Sequence, residues 1–310
     1  MSAAGARVVI TGAQGFVGRH LATHLRSRGY EVVATDRHHD ELGLSLPDEE
    51  GVFALLEAVE PAHIVHLAAV ASARDSERDI AETYRVNVEG TRSVVRAMQR
   101  TGVDSHLLFV STSAVYGAPD AAEITEKTPP RPGGAYALSK LVAESVLHAC
   151  AASVRWTIAR PFNHTGPGQS DHYVLASFAR QIALIEAGQQ ERRLAVGNLS
   201  VAREFLDVRD VVAAYEAILR GADARQFRRA TFNVAAGRAR PLSDYLDLLL
   251  ELSDVEIDVV VDPTRVRSSD PPRLEGDATR LEEATGWRPH YPIERTLSEL
   301  LEAQRAEVAQ

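Results

Sequence analysis

The stretch VVITGAQGFVGRH, residues 8–20, constrains the fold of this chain more than any other. A short β-branched run closed by glycine reads as a buried strand, and the residues from Gly15 to about Arg28 read as a helix. Gly12, Gly15 and Gly18 stand between the two. Gly12 permits the tight turn, Gly15 lets the backbone approach a pyrophosphate, and Gly18 lets the helix pack closely, while the helix N-terminus offers unpaired N–H donors. Asp36 closes a second strand, GYEVVATD, where a carboxylate accepts from the ribose hydroxyls of a bound dinucleotide.

Three further strand patterns follow, AHIVHLAAV, SHLLFVSTS and VRWTIARPF, with helical patterns such as VNVEGTRSVVRAMQRTG between them. Strands alternating with helices imply α/β architecture with a Rossmann-type, doubly wound parallel sheet. The link between the second and third strands is short, with its helix confined to about Asp48–Glu60. Beyond Arg160 the texture changes to Gly/Pro and Arg-rich loops mixed with short elements, a change that marks a boundary. The expected division is a dinucleotide-binding domain over 1–162, with about 207–234 returning to it, and a smaller C-terminal α/β substrate domain formed mainly by 163–310.

A chain of 310 residues with 45% hydrophobic and 25% charged residues has the composition of a globular protein with a sizeable core. Its formal net charge of −9 argues against a nucleic-acid partner. A single cysteine, Cys150, cannot form an internal disulfide, and no apolar run approaches a membrane span, so a cytoplasmic protein without membrane association is expected. His63 and His66 lie on a strand three residues apart, which sends them to opposite faces. His38 and His39 lack companion ligands, and no metal site is assigned. His164, in a Gly/Pro loop, serves equally as a ligand contact or a solvated side chain.

In GGAYALSKLVAE, Tyr136 and Lys140 are four residues apart and share a helix face. On its own that spacing suits an amphipathic helix whose tyrosine packs and whose lysine snorkels. It also suits chemistry, because an ammonium near a phenol favours the phenolate and poises a proton for transfer.

The glycine spacing, Asp36, HLAA, Asn87, STSAVYG and YALSK, in that order, resemble the extended short-chain dehydrogenase/reductase family, in its nucleotide-sugar branch. The likeness implies that Tyr136 is the general acid/base, that Lys140 orients the nicotinamide ribose and lowers the tyrosine pKa, and that Thr112 is the hydroxyl partner touching substrate. It extends the dinucleotide contacts to Gln14, Phe16 and Val17, to Leu67, Ala68 and Ala69, and to Asn87. Asp36 favours NAD, whereas Arg37 beside it admits the 2′-phosphate of NADP.

Longer segments, RPFNHTGPGQS, VGNLSVAREFLDVRDVV, VRSSDPPRLEGDATRL and TGWRP, resemble the family's reductases of GDP-linked 4-keto sugars. This implies NAD(P)H-dependent reduction of GDP-4-dehydro-6-deoxy-D-mannose to GDP-D-rhamnose. Asn163 would contact the sugar nucleotide, and Arg203 and Arg267 would hold its diphosphate as guanidinium forks. The same resemblance implies a homodimer packed through helices near 87–100 and 139–150. Two departures stand out. RHHDELGLSLPD lacks the pair that holds adenine in relatives, and Ser113 and Ala114 follow Thr112 where dehydratases keep acids. Loss of water needs such an acid, so its lack argues against 4,6-dehydration. A nucleotide-sugar 4-epimerase uses the same three residues and remains the alternative; a non-catalytic sensor fits less well.

Overall fold

A computed structural model describes residues 5–37, 43–119, 123–150, 153–224, 226–227, 229–266 and 271–310. The first half runs β1 (Arg7–Thr11), α1 (Phe16–Ser27), β2 (Glu31–Thr35), α2 (Glu49–Val59), β3 (His63–His66), α3 (Ala73–Arg78) and α4 (Ile80–Tyr84). A π-helical turn at Arg85–Glu89 joins α4 to α5 (Gly90–Thr101), which is followed by β4 (His106–Val110), α6 (Ala135–Ala149) and β5 (Arg155–Pro161). The second half runs β6 (His164–Thr165), α7 (Val174–Glu186), β7 (Arg193–Val196), β8 (Ala202–Arg203), β9 (Leu206–Asp207), α8 (Val208–Asp223) and β10 (Arg229–Val234). It ends with β11 (Arg240–Pro241), α9 (Leu242–Leu250), β12 (Asp258–Val261), β13 (Arg273–Leu274), α10 (Thr279–Thr285) and α11 (Ile293–Val308).

Six strands form one parallel sheet in the order β10-β5-β4-β3-β1-β2. Because strand side chains alternate, each strand feeds two cores. Val8 and Ile10 of β1, Val65 of β3 and Leu108 of β4 face α1 and α8, in a core completed by Leu21, Leu25, Tyr215 and Ile218. Val9, Ile64, Leu107 and Phe109 face the opposite way, against Val52, Leu56, Val94, Val95 and Leu147 of α2, α5 and α6. A strand buried on both sides reads as an unbroken apolar run, which is why these strands were legible. The strand order reverses between β1 and β3. Open α/β sheets bind ligands at such a switch point, beyond the carboxyl ends of the strands.

A third apolar cluster lies in the second half, where α7, α9 and α11 pack Leu175, Phe178, Ile182, Leu246, Leu249, Leu297 and Leu300 together. It carries small sheets, β11-β8-β13 and β12-β7, while β6 pairs with β9. No helix among the described residues is long and apolar enough to cross a membrane.

Candidate active site

At the carboxyl end of β1 the chain turns at Gly12, whose φ is +73°. A Cβ there would stand 2.7 Å from the backbone nitrogen of Ala68, so this turn and the segment after β3 approach as closely as glycine allows. The contact is reinforced by Leu67 N donating to the Thr11 carbonyl at 3.2 Å and Ala68 N to Thr11 Oγ1 at 3.4 Å. Gly15 caps α1 with no side-chain partner, which leaves the first-turn amides directed out of the helix. These features fit a dinucleotide: the glycine turn and the α1 N-terminus, where Gln14, Phe16 and Val17 lie, suit a pyrophosphate. The Asp36 carboxylate accepts from Gln14 N at 3.3 Å, which places it against the glycine loop. Arg37 is exposed; the Glu82 carboxyl is lowered chiefly by its hydrogen bond from Arg85, with the Arg37 charge adding to that. His38 and His39, with Asp40, Glu41 and Leu42 of the stretch lacking the adenine-holding pair, lie outside the described residues.

Asn87 sits on the π-helical turn, an interruption that often marks a functional position. Its Oδ1 accepts from Val70 N at 2.8 Å, and its Nδ2 donates to Val70 O at 3.2 Å and Ser139 Oγ at 2.9 Å. These bonds tie the segment after β3, which contains Leu67, Ala68 and Ala69, to α6.

Helix α6 starts at Ala135 after Gly134, and the Ala135 amide donates to Glu77 Oε1 at 2.7 Å. That cap from α3 aims the first turn of α6, and with it Tyr136, over the end of β4. There Thr112 begins the 3₁₀ turn at Ser113–Tyr116, its Oγ1 accepting from Ala114 N at 3.1 Å. Thr112 is also hydrogen-bonded to the Tyr136 side chain. One turn on, Lys140 is 2% exposed, with its ammonium 4.2 Å over the Phe109 ring.

Proton affinities depart from the expectation that Lys140 depresses the tyrosine. Burial pushes Tyr136 up to about 12, with the Thr112 hydrogen bond pulling it back and Tyr173 adding to the rise. Burial pulls Lys140 down to about 7, and the Glu144 charge opposes that fall. The phenol is therefore a proton donor at neutral pH. Tyr173, at the start of α7, is a neighbour of the site that pattern reading passed over; nothing in its local sequence distinguishes it.

On the substrate side, the backbone carbonyl of the half-buried Asn163 accepts from Leu206 N at 2.9 Å, where β6 joins β9. Arg203 lies in β8 with Nη1 donating to the carbonyls of Ala202 and Pro271, both at 2.8 Å. Arg267 lies outside the described residues. His164 is half-buried; its Nδ1 is 3.0 Å from the Phe162 carbonyl, its ring stacks parallel to Phe16 at 6.2 Å, and burial lowers its pKa. His63 and His66 are buried in the sheet, His66 between Thr11 and Thr91 at 2.8 and 3.1 Å.

The sequence pattern of the NAD dependent epimerase/dehydratase family matches residues 8–235, from the first strand through the last strand of the large sheet. The chain belongs to that family. It is 36% identical over 301 residues to GDP-6-deoxy-D-mannose reductase of Pseudomonas aeruginosa, covering 95% of this chain and 96% of the relative. It is 24% identical to UDP-glucose 4-epimerase of Halalkalibacterium halodurans, over 94% of this chain and 93% of that one. Among solved structures, RMD from Pseudomonas aeruginosa complexed with NADPH superposes with a TM-score of 0.88 at 34% identity, covering 97% of this chain and 99% of that one. The matched span includes the glycine turn, Thr112, Tyr136 and Lys140.

Proposed function

We propose that this chain is an NAD(P)H-dependent reductase of the 4-keto group of a nucleotide-linked 6-deoxy sugar, converting GDP-4-dehydro-6-deoxy-D-mannose to GDP-D-rhamnose. The observation that carries the reading is the end-to-end 36% identity with a GDP-6-deoxy-D-mannose reductase.

The chain's own residues account for the proton half of that reaction. Tyr136, protonated and hydrogen-bonded to Thr112, donates its phenolic proton to the carbonyl oxygen at carbon 4. Thr112 holds the same oxygen in place. Lys140 orients the nicotinamide ribose and, with a pKa about 7, returns a proton to the phenolate. A reduced nicotinamide, when bound, supplies the hydride. Asp36 takes the adenosine ribose and Arg37 beside it the 2′-phosphate; the NADPH complex of the solved relative supports use of the phosphorylated cofactor. Asn163, Arg203 and Arg267 hold the sugar nucleotide. The same reading makes the enzyme a cytoplasmic homodimer joined through helices near 87–100 and 139–150, with residues 1–162 mainly binding the dinucleotide.

The test is incubation with GDP-4-keto-6-deoxy-mannose and NADPH or NADH. A reductase oxidises nicotinamide in proportion to sugar consumed, yields GDP-rhamnose and leaves GDP-mannose untouched. Interconversion of two saturated nucleotide sugars without net cofactor oxidation would replace this reading with 4-epimerisation.

A further inference from the structure

The proposed machinery leaves a buried ion pair beside it without a task. Glu144, one turn after Lys140 on α6, is 2% exposed, and Arg160 of β5 is 6% exposed. Arg160 Nε donates to Glu144 Oε1 at 3.0 Å and Nη2 to Oε2 at 2.5 Å. Ser111, the residue before Thr112, donates from Oγ to the same Oε1 at 2.5 Å. The guanidinium also donates from Nη1 to the Tyr116 hydroxyl at 3.0 Å, and that hydroxyl donates to Asn233 Oδ1 at 2.7 Å. Buried ion pairs are poor sources of stability, since apolar replacements of similar volume are often equal or better. Stability alone therefore does not account for this one.

We propose that Glu144 is a positioning residue for the catalytic group: its carboxylate locks Ser111, and hence Thr112, onto the helix bearing Tyr136 and Lys140, and its charge keeps the Lys140 ammonium protonated. This rests on the roles given above to Thr112, Tyr136 and Lys140. The end of β4 and helix α6 carry the two halves of the site, and Glu144 joins them through Ser111 as Lys140 does through the Phe109 ring. Its charge is also the one that opposes the loss of the Lys140 proton through burial.

The other groups packed around Lys140 do not replace that charge. His66 on β3 is pulled down to about 3 by burial and by Lys140 itself, so it is neutral. Tyr136 and Tyr116 are both raised by burial and stay protonated. Arg160 is paired with Glu144, and Glu126, whose charge reaches Tyr116, is raised by burial. As pH rises Lys140 loses its proton before Tyr136, so the alkaline limb of the reduction reports Lys140.

The experiment is the pH profile of kcat/KM for the wild type, Glu144→Gln, Ser111→Ala and Lys140→Met, with a thermal melt for each. In Glu144→Gln the alkaline limb moves down by at least about one pH unit, a tenfold loss of activity above it. In Ser111→Ala kcat falls severalfold at every pH and the limb stays in place. A Glu144→Gln enzyme that loses activity equally at all pH values, with its limb unmoved, overturns the proposal and leaves a structural role. Should Glu144→Gln fail to fold because Arg160 is left unpaired, Glu144→Gln/Arg160→Gln is compared with Arg160→Gln: a limb lower in the double variant supports the proposal, and a limb level with that of Arg160→Gln overturns it. Lys140→Met separates the two levels of inference. If it keeps the wild-type limb, the role of Lys140 fails as well; if it loses the limb while Glu144→Gln keeps it, the proposal for Glu144 alone fails.

Discussion

Replacing Gly12 by alanine separates the two constraints on the dinucleotide turn. Gly12 has φ +73°, where an L side chain is strained, at about 1–2 kcal/mol. Its new Cβ would also stand 2.7 Å from Ala68 N and 2.8 Å from Ala68 Cα, both backbone atoms that cannot swing aside. Overpacking of this kind costs about 1–3 kcal/mol, giving about 2–5 kcal/mol in all. Gly102 is the control, because it has φ +65° but nothing within 4 Å of an added Cβ. Gly102→Ala should show the backbone cost alone, about 1–2 kcal/mol. Urea unfolding of both variants measures the difference, and NADPH titration by nucleotide fluorescence reads the function. Relief of the clash pushes β1's turn away from Ala68, so Gly12→Ala should bind NADPH at least about tenfold more weakly, a loss of 1.4 kcal/mol or more, while Gly102→Ala binds normally. Equal destabilisation of the two variants, or wild-type NADPH affinity in Gly12→Ala, would refute the close approach as the reason for this glycine.

Tyr136→Phe should reduce turnover by about 10²–10⁴ while NADPH titration stays near wild type, since the ring still packs and only the proton donor is lost; a rate within tenfold of wild type would remove the phenol from the chemistry. Arg203→Ala should raise KM for the GDP-sugar by the equivalent of about 1.5–3 kcal/mol with nicotinamide affinity unchanged, and an unaltered KM would return Arg203 to its bonds with Ala202 and Pro271. Glu204 is fully buried, accepts from the amides of Ala236, Gly237 and Gly276, and is raised from 4.5 to about 7 by burial, with Glu275 adding to the rise. A carboxyl raised on folding stabilises most below its unfolded value, so its contribution should diminish between about pH 4.5 and 7 and be absent above. The stability difference between wild type and Glu204→Gln, measured by urea titration, should change across that window; a difference independent of pH would contradict it.

The large sheet and its turn were readable because their determinants are local. Val8, Val9 and Ile10 are buried on both faces of a parallel sheet, so the run is apolar without alternation, and the glycines follow it at fixed offsets. Thr112, Tyr136 and Lys140 were readable as motif residues, and α6 places the last two one turn apart. Asn87 was also picked out by pattern, but its bonds to Val70 and Ser139 depend on a π-helical turn for which the residues carry no local mark. Glu77, which caps α6 across 58 positions, carries no sign of that task in its own helix.

By itself, then, the sequence determined the strand order's raw material, the dinucleotide turn and the residues with chemistry to offer. The protonation of those residues was decided by tertiary structure. Tyr136 rises to about 12 and Lys140 falls to about 7 because burial strips water from both, and the spacing of four along a helix says nothing of how deeply either is buried. Periodicity encodes which face of an element is apolar. It does not encode which distant group meets that face, and so the pairing of Glu144 with Arg160 and Ser111, and of Tyr116 with Asn233 across 117 positions, exists only once the sheet has brought the ends of β4, β5 and β10 together.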